Sequence, residues 1–437
     1  MVERIVAAHG VVFGASNVPP FAFNIITINA SSGLTRNPYN HALSVGGSSG
    51  GAASAVASHM CPVAIAEDTG GSTRIPAWHN QLFGFDPARN HYDNAGNTAL
   101  SFTRDQVGVV ARSMCDILLY DQAIMGSRHA ADELHRAAAA RASQRSAASV
   151  RVGAPRLPFV EQPRLPAGWQ VCAEAARKWG EMGVGLHPGG AAGAGWVLEG
   201  SVRQRYEAVK DALRASQMVV VDEEWPTKGH EVNEAVRALY QPRIVNGQPF
   251  DPISVFISTM GGQTAQWVRE YLDAPVGLKD IAADEGCNPG VAESGDETQL
   301  RYNFGPWVVD QLQAYNSYFD AHDVDFILLP CGMFPTPDAA DVLGDAVQVT
   351  RGDGSVAEHR RTEAYVPHFI RPFKELHIPK LVIPTGLSED GRPLAVQLWG
   401  RALAYEQMFD DCKSSESSID FLHLAARLVA AVHADRG

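Results

Sequence analysis

Apolar and polar positions alternate along this chain with two different periods, and the switches between them mark out its elements. Val2 to His9 reads as the end of an amphipathic helix, and Val11-Val12-Phe13-Gly14 as a short buried strand. The run from Ala52 to Met60 predicts a helix, Pro62 to Ala66 a short strand, and the residues from Pro76 onward another helix. Asp116 to Asp121 keeps apolar positions at helical spacing, which predicts a helix packed on a core. Val202 to Ala215 and His230 to Tyr240 read as helices flanking a buried strand at Met218 to Val221. Continuous apolar runs at Asp325 to Pro330, Lys380 to Leu387 and Gly391 to Gly400 predict strands, the last two joined by a turn at Ser388 to Arg392. Helices alternating with buried strands predict an α/β fold.

Between these segments the pattern weakens. Ser127 to Ser149 is rich in alanine, arginine and serine and predicts an exposed helix ahead of the strand-like Val150 to Gly153. Gly185 to Gly195 is a glycine-alanine loop without the GxGxxG order, so it reads as a connector and not a dinucleotide site. From about 223 to 320 the aromatics Trp267, Tyr271, Phe304 and Trp307 read as core side chains.

Composition narrows the picture. The chain has 437 residues, 45% of them hydrophobic, enough for one large or two medium domains. A net charge of -13 argues against a nucleic-acid partner, because such binding rests on Lys and Arg neutralising phosphates. The six cysteines show no CxxC spacing and the 15 histidines no HExxH pair, so neither a disulfide framework nor a metal hydrolase is indicated. No apolar run reaches spanning length and no signal-peptide pattern opens the chain, which predicts a soluble, cytoplasmic protein without a membrane partner.

The candidate chemistry lies in Gly46-Gly47-Ser48-Ser49-Gly50-Gly51 and in Asp68-Thr69-Gly70-Gly71-Ser72-Thr73-Arg74-Ile75-Pro76. Alone, either cluster reads as a linker or turn. Together they place serine hydroxyls and glycine-rich backbone before two helices. Helix starts leave N–H groups unpaired, and glycine lets them approach a ligand, a combination suited to an oxyanion.

At these residues the chain resembles the amidase signature family, serine hydrolases built on a Ser, cis-Ser, Lys triad. Asn17 to Phe23, Thr35 to Asn40, Thr103 to Ser113, Asp325 to Pro330 and the closing Lys380 to Gly400 extend the resemblance along most of the chain. It implies an amidase-signature fold, a central mixed β-sheet with helices on both faces. One domain over 1–437 is expected, with a signature core at 1–126, a variable region at about 127–320 and completing strands and helix at about 321–437. By the same resemblance Ser72 is the nucleophile and Ser48, after a cis peptide at Gly47, the bridging serine. Thr69, Gly70 and Gly71, with Ser72, would line an oxyanion hole, while Ser49, Asp68 and Arg74 would support it. No cofactor is implied. The expected partner is a small amide, and a homodimer stays open. Ile75 stands where tRNA-dependent amidotransferases commonly carry glutamine, and Tyr92 to Arg112 looks closer to aryl-amide hydrolases.

The family's catalytic lysine lies upstream of the matching region, whereas here no lysine precedes Lys178. The expectation is therefore an N-terminally truncated amidase, impaired because its proton relay lacks a base. A start set too far downstream and a shortened paralogue both explain this, and a non-catalytic amidase-like scaffold is the alternative function. His79 and Glu67 are candidate substitute bases; His79 reads more simply as packing on the helix that follows Ser72.

Overall fold

The computed structural model describes residues 1–97 (except 20, 21, 23 and 30), 104–126, 131–155, 200–223, 315–343 (except 333) and 374–434. Short pieces at 243–245, 248–250, 308–309, 312–313, 346–350 and 356–360 are also described. The expectations for 185–195, for 230–240 and for Trp267, Tyr271, Phe304 and Trp307 lie outside the described residues.

After a first helix, Val2–Ala7, strands β1 (Ile28–Asn29) and β2 (Gly33–Leu34) pair as a hairpin. The main sheet takes β3 (Val63–Glu67), β4 (Phe83–Asp86), β5 (Val107–Ala111), β6 (Arg151–Gly153) and β7 (Val219–Val221). Strands β8 (Arg243–Val245) and β9 (Gln248–Phe250) form a separate pair. The main sheet continues with β10 (Phe326–Pro330), β11 (Ala346–Thr350) pairs apart with β12 (Val356–Arg360), and β13 (Lys380–Leu387) and β14 (Pro393–Trp399) complete the sheet. Its order is β3-β5-β4-β13-β14-β10-β6-β7. Pairing is antiparallel from β3 through β10 and parallel from β10 to β7, so the sheet is mixed.

Successive side chains in a strand point to opposite faces, and the core divides accordingly. Phe85, Val109, Phe326, Leu328, Leu381, Ile383, Val396 and Leu398 face one side, where helices Met114–Met125, Gly200–Ala215 and Asp411–Val432 cover them. Val110, Val382 and Ala395 face the other side, against helices Gly50–Ala57 and Arg74–His79. Ile327, Leu329 and Trp399 share that opposite parity and pack on Tyr315, Tyr318 and Phe319. Both faces are thus buried.

Local sequence sets the ends of these helices. Ser113 Oγ accepts the N–H of Asp116 at 3.0 Å and donates to its carboxylate at 2.7 Å, capping Met114–Met125. Asp410 does the same for the last helix by accepting from the N–H groups of Cys412 and Lys413.

Two expectations are corrected. Val11 to Gly14 is neither strand nor buried: Val11 is 88% exposed and Phe13 69%, because no described strand pairs with the segment. The predicted exposed helix forms over Ala131–Gln144, but one face is buried. Ala131, His135, Ala138 and Ala142 recur at helical spacing, and the helix packs on Asp411–Val432.

Candidate active site

Strand β3 ends at Glu67, and residues 68–73 turn back into helix Arg74–His79. This turn sits directly on the sheet. A Cβ at Gly108 would lie 2.6 Å from Thr73 Oγ1, and one at Gly84 would lie 2.5 Å from Ala77 Cβ, so the strands beneath need glycine for the turn and helix to approach.

The first glycine-serine cluster lies against this turn. The Gly47–Ser48 peptide bond is cis and Gly46 has φ +80°. The Thr27 hydroxyl lies 2.9 Å from the Gly46 carbonyl and 3.1 Å from that of Ser48, and it accepts the Gly50 N–H at 2.9 Å. Ser49 links the two clusters: its N–H donates to the Ser72 carbonyl at 3.3 Å, and its Oγ accepts the Glu67 N–H at 3.2 Å. Ser48 is fully buried and its Oγ has no partner among the described residues, while Ser72 is half-buried.

Asp68 staples the turn from below. Its Oδ1 accepts the Gly71 N–H at 2.8 Å and its Oδ2 the Thr73 N–H at 3.2 Å, so the backbone is held on either side of Ser72. The N–H groups of Thr69, Gly70 and Ser72 meet no acceptor among the described residues. These three donors lie in the turn that leads to helix Arg74–His79, while the Gly71 N–H is engaged in the staple. Arg74 Nε and Nη2 donate to Asp68 at 3.0 and 3.1 Å.

Two lysines from far along the chain complete this buried group. Lys374 Nζ donates to Asp86 Oδ1 and Oδ2 at 2.7 and 2.8 Å and lies 3.3 Å from Asp68 Oδ1. Lys380 Nζ lies 3.5 Å from Asp86 Oδ2, and all five side chains are buried. Burial alone would raise the Asp68 carboxyl, but the Arg74 guanidinium and the Lys374 ammonium hold it well below the usual carboxylate range. Burial lowers Lys380 to about 7, opposed by Asp86 and assisted by Arg74 and Lys374.

On the other side of the turn, Thr69 Oγ1 lies 2.5 Å from both Glu67 Oε1 and Asp105 Oδ1. Burial and then the Asp105 charge push Glu67 well above the usual carboxylate range. Arg104 Nε donates to the Thr69 carbonyl at 3.0 Å. His79 is buried against Trp78, neither ring nitrogen has a partner among the described residues, and burial pushes it down to about 3, so the ring is neutral. Among the described residues no group of His, Cys, Asp and Glu could hold a metal ion.

The structure therefore brings Ser48, Ser49, Asp68, Thr69, Gly70, Gly71, Ser72 and Arg74 into one region. The sequence reading overlooked Asp86, Asp105, Lys374 and Lys380. Lys380 carried a signal, a charge opening an apolar strand on the face turned toward Val382; Lys374 carried none.

The sheet, its two helical layers and the paired serine turns define an α/β protein with the amidase fold. Residues 1–184 of the 437 match the family model described as Amidase. It is 25% identical over 434 residues to the indoleacetamide hydrolase of Agrobacterium vitis, covering 96% of this chain and 76% of that protein. It is 31% identical over 227 residues to a component of the glutamyl-tRNA(Gln) amidotransferase of Syntrophobacter fumaroxidans, spanning 49% of this chain and less than half, 46%, of that component. Among solved structures, 6-aminohexanoate cyclic dimer hydrolase superposes with a TM-score of 0.62 at 20% identity, covering 96% of this chain and 77% of that one. These likenesses support the hydrolysis of amide bonds in general terms.

Proposed function

We propose that this chain hydrolyses a small aryl-bearing amide through an acyl-enzyme on Ser72. The Ser72 oxygen attacks the amide carbonyl carbon, and the carbonyl electron pair moves onto its oxygen. The N–H groups of Thr69, Gly70 and Ser72 stabilise that oxyanion. Ser48 accepts the Ser72 proton and passes its own to the leaving nitrogen, so the C–N bond breaks with release of ammonia or an amine. Water then attacks the ester and restores Ser72. The observation that carries this reading is the Ser48 hydroxyl, fully buried and without a partner among the described residues, on a turn bonded to the Ser72 turn. A buried hydroxyl left unpaired in the free protein is costly and calls for a partner during turnover.

The aryl preference rests on the indoleacetamide hydrolase relative.

The test is the intact mass of the chain after exposure to a fluorophosphonate, with Ser72→Ala as control and ammonia release from indole-3-acetamide as the activity readout. One adduct on the unmutated chain, absent from Ser72→Ala, is expected. A cooperatively melting chain with neither adduct nor ammonia release would support the scaffold reading instead.

A further inference from the structure

We propose that Lys374 is a positioning residue for the Ser72 turn: by bridging Asp86 and Asp68 it fixes the carboxylate that holds the backbone on both sides of Ser72. The chain of contacts is continuous. Asp86, at the end of β4, receives two short bonds from Lys374; the same ammonium lies 3.3 Å from Asp68 Oδ1; and that oxygen takes the Gly71 N–H at 2.8 Å. Asp68 Oδ2 takes the Thr73 N–H and Arg74 Nε. Arg74 alone leaves Asp86 weakly held, since its Nε is 3.5 Å from Asp86 Oδ2. Without Lys374 the two carboxylates would face each other across one guanidinium, and Asp68 would be free to turn from the backbone toward that cation.

Among the described residues, the charged groups that face this ammonium belong to the cluster or its rim. Asp68 and Arg74 come from the turn and its helix, Asp86 from β4 and Lys380 from β13, while the Glu67 carboxyl interacts with it from the end of β3. Cys331, beyond β10, faces Arg74 as a thiol kept protonated by burial. Lys380 is lowered to about 7 first by burial; Asp86 opposes this, and the Arg74 and Lys374 cations add to it. Removing Lys374 would hand Asp86 to Lys380, which would then keep its proton to higher pH.

The kinetic side of this inference rests on the serine-hydrolase reading, so the experiment includes a readout independent of catalysis. Amide hydrogen exchange at Gly71 and Thr73 would be compared in the unmutated chain, Lys374→Met and Lys374→Arg, together with kcat and KM across pH 6 to 9. Lys374→Met is expected to speed exchange at both amides but not along β5. It should also lower kcat ~10- to 100-fold, the scale of a misplaced reacting group, with KM nearly unchanged. The loss should shrink at lower pH, where protonated Lys380 takes over Asp86, and Lys374→Arg should restore most of both readouts. Unchanged exchange at Gly71 and Thr73 would overturn the proposal even if the chain proves inactive. A loss equal at every pH and not relieved by arginine would overturn it too. Should Lys374→Met fail to fold, Lys374→Gln, which keeps a donor without the charge, carries the same readouts.

Discussion

Thr69 has one hydroxyl hydrogen and two carboxyl groups within 2.5 Å, Glu67 and Asp105. One hydrogen serves one acceptor, so a second proton must lie on a carboxyl, and burial next to Asp105 places it on Glu67. Protonated Glu67 donates to Thr69, and Thr69 donates to Asp105. The sign follows: the bridge is complete while Glu67 is protonated and is lost as pH rises through its raised pKa. Glu67→Gln, whose amide donates at any pH, is expected to keep the bridge closed, so that its Tm no longer falls with the loss of the Glu67 proton. Glu67→Ala should destabilise by about 1–3 kcal/mol, the range for a buried partner left unsatisfied, read as a lowered Tm. Ser48, Ser72, Asp68 and Arg74 were legible because they sit within a few residues of one another in two dense motifs. The Lys374 partnership was not, because its partner Asp86 lies 288 residues away and no local pattern encodes that meeting.

Four elements meet at Asp121 of helix Met114–Met125. Its carboxylate lies 2.6 Å from His91 Nε2, accepts from Tyr92 Oη, and has His135 Nε2 at 3.0 Å; His135 Nδ1 is in turn 3.0 Å from His423 Nε2. The knot ties the segment after β4 to three helices on one face of the sheet. Burial alone would raise Asp121, but His91, His135 and Tyr92 hold it well below its ordinary value. Its stabilisation is therefore in place above the unfolded aspartate pKa of about 3.9 and is lost as pH falls below it. Asp121→Ala is expected to cost about 1–3 kcal/mol, as leaving buried hydrogen-bonding groups unsatisfied does, with a matching fall in Tm and a shallower acid arm of the stability curve. Helix Ala131–Gln144 looked exposed from sequence because its inward face is three alanines and His135, residues whose hydrophobic signal is weak even when they pack. The apolar runs of β10, β13 and β14 announced their strands plainly, since a strand buried on both faces leaves no polar alternation.

At the scale of the whole molecule, strands from opposite ends of the chain are neighbours. β4 pairs with β5 on one side and with β13 on the other, in the register Lys380↔Asp86 and Val382↔Gly84. Apolar runs told which segments were strands, but their order follows from long-range pairing that no local pattern reports. Lys380 also gives the molecule a pH signature. It holds its proton more weakly folded, at about 7, than unfolded, at about 10.4, so between those values the unfolded state binds more protons and stability rises with pH. Lys380→Met is expected to flatten that rise and to increase Tm at pH 7, since it removes a buried amine while Lys374 still holds Asp86. The interleaving also bears on how the protein is born. On a ribosome the serine turns emerge well before Lys374, Lys380 and strand β13, which covers β4. A nascent chain thus carries the Ser72 turn without Lys374 and β13 until about 300 further residues have been made, and the turn takes its final setting only when those segments dock.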